Sequence, residues 1–160
     1  MILPVIAYGT PVLKYKAKEI SSDYPALDQL ISDMYETMYD ASGVGLAAPQ
    51  IGKSIRLFVI DTSPFDNDDF EKESGFEVTS LKKTFINPVM IDEFGDNSSF
   101  EEGCLSIPNI RSKIDRKSEI KIKYQDESFV THKENFSGIL ARGIQHEYDH
   151  LEGKLFTDKI

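Results

Sequence analysis

GILARGIQHEYDHLEG, residues 138–153, decides how this 160-residue chain is read. Its apolar residues recur at helical spacing from about 138 to 152, and Gly153 stands where a helix would stop. Residues four apart on a helix lie one turn apart on the same face, so His146 and His150 can aim two imidazoles at one ion. Glu147 sits beside the first histidine but off that line, within reach of a water at the metal rather than of the metal itself. Two ligands and one base from a single rigid turn is the mechanical logic of an H-E-x-x-H site. A surface or core helix that happens to spell the pattern is the plainer alternative.

A histidine pair leaves a catalytic metal site one protein ligand short. Beyond His150 the sequence offers only Glu152 and Asp158, so the third ligand has to come from upstream. His132 falls in a predicted strand next to Lys133 and reads as a surface residue. Cys104, in EEGCLSIP (101–108), is the better candidate, because Gly103 permits close backbone approach and a thiolate is a strong ligand for Zn²⁺ or Fe²⁺. A lone cysteine is also commonly a small buried hydrophobe, and that reading stands beside the first.

A third stretch, GVGLAAPQIG (43–52), is small, apolar and glycine-rich, with one amide, Gln50. No lysine follows at P-loop spacing and no G-x-G-x-x-G precedes a helix, which argues against phosphate binding. The stretch suits a backbone that passes close to a ligand with Gln50 aimed inward. A tight connection between a helix and a strand would explain its glycines but not its glutamine.

The rest of the chain frames these three stretches. Leu27, Leu30, Ile31, Met34 and Met38 predict a helix over 23–40, with Pro25 in its first turn. Strands are expected at 55–60, 85–91, 119–124 and 128–133, and EIKIKY (119–124) alternates as a half-exposed antiparallel strand should. The acidic stretch 61–75 reads as a solvated insertion within one domain spanning 1–160. Strands in the middle and helices near both ends give an α+β class. A net charge of −9 opposes direct nucleic-acid binding and anionic membranes. One cysteine, no signal-peptide pattern and no apolar run near about 20 residues point to the cytoplasm and away from a membrane.

Together GVGLAAPQ, EGCLS and QHEYDHLEG resemble the three signature motifs of the peptide deformylase family, in order and with similar separations. Likeness extends from the ILPVIAYGTPVLK start to LFTDKI. The resemblance implies small antiparallel or mixed sheets around a central metal-binding helix. It implies hydrolysis of the formyl group from the N-terminal formyl-methionine of nascent polypeptides, releasing formate. It also implies one divalent metal on Cys104, His146 and His150 with water as fourth ligand, Fe²⁺ in physiology and Zn²⁺, Ni²⁺ or Co²⁺ as substitutes. Glu147 would then move the protons, and Gln50 with the Leu105 backbone N–H would meet the oxyanion. Gly43, Val44, Gly45 and Arg111 match positions along the substrate channel, and Arg116 and Asp149 match a structural ion pair. A monomer acting on formyl-methionyl peptides is expected. The ribosome exit region is a partner that the resemblance suggests, and the lack of a helix after Ile160 puts it in doubt.

One departure bears on specificity. Gly143 stands inside the metal helix where many relatives carry a larger residue, at a cost of about 1 kcal/mol relative to alanine. The missing side chain is expected to enlarge the methionine pocket. Two rival functions remain: another metal-dependent amidase or peptidase on the same helix, and a module that binds formylated N-termini without catalysis. Glu147 speaks against the second, since binding alone needs no base.

Overall fold

The computed structural model describes residues 1–7, 9–65, 72 and 81–155. Two helices, α1 (Leu27–Asp40) and α2 (Gly138–Leu151), pack against one sheet of five strands. The strands are β1 (Gly45–Ala47), β2 (Leu57–Asp61), β3 (Lys82–Cys104), β4 (Ile107–Gln125) and β5 (Thr131–Ser137), in spatial order 1-2-3-4-5. Every ladder in it is antiparallel. The α+β class expected from the sequence is the class observed. Most of the 61–75 insertion lies outside the described residues, as do 156–160.

β2 explains how two helices share one sheet. All five of its residues are buried, as expected of a strand covered on both faces. Phe58 and Ile60 join Phe85, Ile120, Ile122 and Tyr124 under Ala141, Ile144 and Leu151 of α2. Leu57 and Val59 point the other way and pack with Ile31, Met34 and Met38 of α1. Period-two alternation along one short strand therefore feeds two cores.

Several boundaries differ from the sequence reading. α1 starts at Leu27 and not near Asp23, because Ala26 takes a left-handed conformation (φ 54°) that no helix continues through. The strands expected at 85–91 and 119–124 are parts of β3 and β4, which are far longer. The strand expected at 128–133 begins at Thr131, since Asp126 gathers the amides of Ser128 and Val130 on its carboxylate and folds that stretch into a turn.

β5 runs directly into α2. Gly138 makes the joint with φ 63°, and Gly153 (φ 75°) closes the far end beside the Lys14 carbonyl. No helix among the described residues is long and apolar enough to cross a membrane.

Candidate active site

α2 carries His146 and His150 on one side and lies against the end of β3, where Cys104 sits. Pairing between β3 and β4 jumps there from Gly103↔Arg111 to Cys104↔Ile107, an irregularity of the kind that re-aims a side chain. The Cys104 sulfur and one nitrogen from each histidine lie within 4.8 Å of one another. Cys104 Sγ is 3.4 Å from His150 Nε2. One thiol and two imidazoles, converging with no other described protein ligand, suit a divalent transition metal. His132 is elsewhere, on Asp126 at 2.8 Å and stacked against Tyr124.

Glu102 orders His146, and the sequence reading missed it. It is 6% exposed, and its Oε1 accepts from His146 Nδ1 at 3.0 Å. That bond leaves Nε2 as the nitrogen that would face a metal held there. Two guanidiniums hold the same carboxylate: Arg116 through Nε at 2.6 Å and Nη2 at 2.9 Å, and Arg142 through Nη1 at 2.6 Å. Arg116 Nη1 also reaches Asp149 at 2.9 Å, the pairing that the family resemblance implies. Arg142 goes on to the backbone carbonyls of Ile114 and Ser98 and so ties α2 to both long strands. Signals for both residues were present. Glu102 precedes Cys104 by two, the spacing of one strand face. Arg142, Gln145, His146 and Asp149 form a polar stripe at helical spacing along α2.

The electrostatics follow from burial against these contacts. Burial would raise the Glu102 carboxyl, but His146 and Arg116 outweigh it and hold it at about 2. Burial would lower His146, yet its bonds to Cys104 and Glu102 carry it to about 10. A bound cation would take the place of that proton. His150 is held well below its ordinary value, chiefly by burial, and is a neutral imidazole ready to coordinate. Glu147, 4% exposed, is pushed up to about 7, mainly by burial, with His146 opposing. Its Oε1 has no hydrogen-bond partner among the described residues.

Gln50 is 1% exposed. Its Oε1 accepts from the Ala47 N–H at 2.9 Å, which turns Nε2 toward Cys104 Sγ (3.3 Å) and Ser106 Oγ (3.3 Å). The expected inward amide is therefore observed. Ser106 is a partner that the sequence reading did not name. Gln50, Cys104, His146 and Glu147 open onto a cavity of about 810 Å³. Gly43, Val44, Gly45, Leu105, Arg111 and Gly143 also line it. Arg111 is exposed at the rim and pairs with Glu101 at 3.4 Å.

A thiol and two imidazoles around one point, with a buried carboxylic acid beside them in a cavity, define a metal-dependent hydrolase. The chain matches the polypeptide deformylase family over residues 2–160. It is 54% identical to the peptide deformylase of Christiangramia forsetii and 55% identical to that of Flavobacterium psychrophilum. Each match covers 100% of this chain and 82% or 83% of the relative. The solved peptide deformylase of Thermotoga maritima superposes with a TM-score of 0.85 at 37% identity, covering 100% of this chain and 98% of that one. A class I type b enzyme from Acinetobacter baumannii, solved with Met-Ala-Ser bound, gives 0.90 at 32% identity, covering 100% and 99%. The chain belongs to the polypeptide deformylase family. It is a metallohydrolase that removes the N-formyl group from the formyl-methionine of nascent polypeptides.

Proposed function

We propose that Cys104, His146 and His150 hold the ion of this deformylase and that Glu147 carries the protons of the reaction. The convergence of the three donors within 4.8 Å supports the ligand set. A mixed sulfur and nitrogen set suits Fe²⁺, which we take as the physiological ion, with Zn²⁺, Ni²⁺ or Co²⁺ able to replace it. When bound, the ion supplies Lewis acidity to the carbonyl and to water.

The protein groups do the rest. Glu147, buried and close to neutral in its titration, accepts a proton from the attacking water and gives it to the departing amine nitrogen. Water adds to the formyl carbon, the C–N bond breaks, and formate and a free amine leave. Gln50 Nε2 and the Leu105 N–H donate to the oxygen as it gains charge. Gly43, Val44 and Gly45 line the cavity at the start of β1, whose outer edge can take the peptide as an added strand. Arg111 stands at the rim and Gly143 in the side-chain pocket. The Arg116–Asp149 pair braces α2 against β4. We take 1–160 as one catalytic domain that works as a cytoplasmic monomer on formyl-methionyl peptides.

The test is anaerobic purification with metal analysis, then turnover of formyl-Met-Ala-Ser and acetyl-Met-Ala-Ser with Glu147→Ala beside the wild type. The formylated peptide should be strongly preferred. The variant should keep its metal and lose at least about 100-fold in kcat. A metal-loaded Glu147→Ala with wild-type kcat, or a preference for the acetylated peptide, overturns the assignment.

A further inference from the structure

We propose that Ile60 and Gly143 are one size-matched pair that sets the depth of the pocket receiving the first side chain of the formylated peptide. The inference rests on the reading that this cavity holds that side chain. Gly143 lies inside α2, one turn before Glu147, where glycine is disfavoured. Its backbone is not in the left-handed region, so conformation does not require glycine there. Space does. A Cβ at this position would stand 2.7 Å from Ile60 Cδ1, well inside contact distance.

Ile60 reaches that point from the sheet. It lies on β2 opposite Gly45 and is completely buried. It belongs to the core that includes Ala141 and Ile144 on α2. Ile60 and Gly143 both line the cavity. From the sequence alone, the absent side chain would add room to the pocket; in the fold, the tip of Ile60 fills the notch. The wall at this level is a β2 methyl laid across the helix. A methyl added at 143 has to displace that tip. Close packing on the core side leaves the cavity as the direction in which it yields. The pocket then becomes shallower. Removing Cδ1 with Ile60→Val does the reverse, and the two changes together move one methyl from strand to helix at nearly constant volume.

The experiment compares kcat/KM on tripeptides beginning with formyl-methionine, formyl-phenylalanine or formyl-glycine. The proteins are metal-loaded wild type, Gly143→Ala, Ile60→Val and the double variant. One methyl in an apolar pocket is worth roughly tenfold or more. Gly143→Ala should therefore lower the methionine-to-glycine ratio about tenfold. Ile60→Val should raise phenylalanine relative to methionine, and the double variant should recover most of the wild-type ratio. An unmoved ratio in Gly143→Ala, an equal loss on methionine and glycine peptides, or a double variant showing the two single effects combined overturns the pairing. Ile60→Val tests the pairing by itself if Gly143→Ala folds poorly. A wild type that turns over methionine and glycine peptides equally sinks the pocket reading instead.

Discussion

Gly45→Ala should disable the enzyme while leaving its metal in place. Gly45 has ordinary strand conformation, with no positive φ, so alanine is acceptable to the backbone. The obstacle is Glu147. A Cβ at 45 would lie 2.5 Å from Glu147 Oε2, 2.9 Å from Cδ and 3.0 Å from Cγ. One of the two must give way by roughly 1 Å, a displacement that can cost about 100-fold in rate. β1 is the stiffer partner: Gly45 pairs with Ile60, and the Val44 carbonyl accepts from the Asp61 N–H at 2.8 Å. The carboxyl, with an unpartnered oxygen, is the softer one. The expected result is a kcat about 100-fold lower, KM changed far less, full metal content, and an overpacking cost of about 1–3 kcal/mol. Steady-state kinetics on a formylated tripeptide, metal analysis and denaturant unfolding read the three quantities. A metal-loaded Gly45→Ala with kcat within threefold of wild type refutes the reasoning. So does a variant in which KM rises and kcat holds, because then the strand has moved and the base has not.

Three further outcomes follow from the contacts. Glu102→Gln leaves Arg116 and Arg142 without their shared carboxylate and weakens the hold on His146. Metal affinity in chelator competition should fall about 10–100-fold, and stability by about 3–5 kcal/mol; unchanged affinity would show that Glu102 does not orient the ligand. Complete anaerobic removal of metal should abolish turnover, and Fe²⁺ or Zn²⁺ should restore it; activity that survives removal contradicts the site. Asp61 is the third case. Burial would raise its carboxyl, but bonds from the Tyr39 hydroxyl and from Ser63, with Lys82 nearby, hold it below its ordinary value. Its contribution is therefore present above the unfolded carboxylate range and lost as pH falls through the lowered folded value. Asp61→Asn should flatten the acid side of the melting-temperature profile, and a profile parallel to wild type down to about pH 3 would contradict it.

What the sequence made legible were features that repeat along one element. The spacing of Leu27, Ile31, Met34 and Met38 predicts α1, and the interval between His146 and His150 predicts a shared ligand face. Cys104 stood out as the one cysteine, set directly after a glycine in EGCLS. What stayed hidden depends on contacts between elements. Glu102 orders His146 only because β3 ends against α2; its spacing of two from Cys104 puts both on one strand face but does not say that this face meets the helix. Gly143 looked like added space because the sequence lists the missing side chain and not Ile60, which arrives from 83 residues earlier in the chain. The start of α1 was misplaced for a similar reason: Pro25 suits a first turn, but the left-handed Ala26 that breaks the helix carries no side-chain signal.

The site holds its groups in two different ways, and the chemistry explains the division. His146 has one fixed task and can be tied by a hydrogen bond, so Glu102 and two arginines fix it from behind. In the proposed mechanism Glu147 has to take a proton and release it. Donors locked onto both carboxylate oxygens would favour the charged form and hold its pKa low. Burial does the opposite and brings it to about 7. A base left without strong partners must be positioned by shape, and shape here means the bare Cα of Gly45 against its carboxyl. The glycine of G-V-G-L and the glutamate of H-E-x-x-H are therefore two halves of one steric fit. This is why Gly45, in a stretch whose sequence suggests only close backbone approach, is expected to govern kcat.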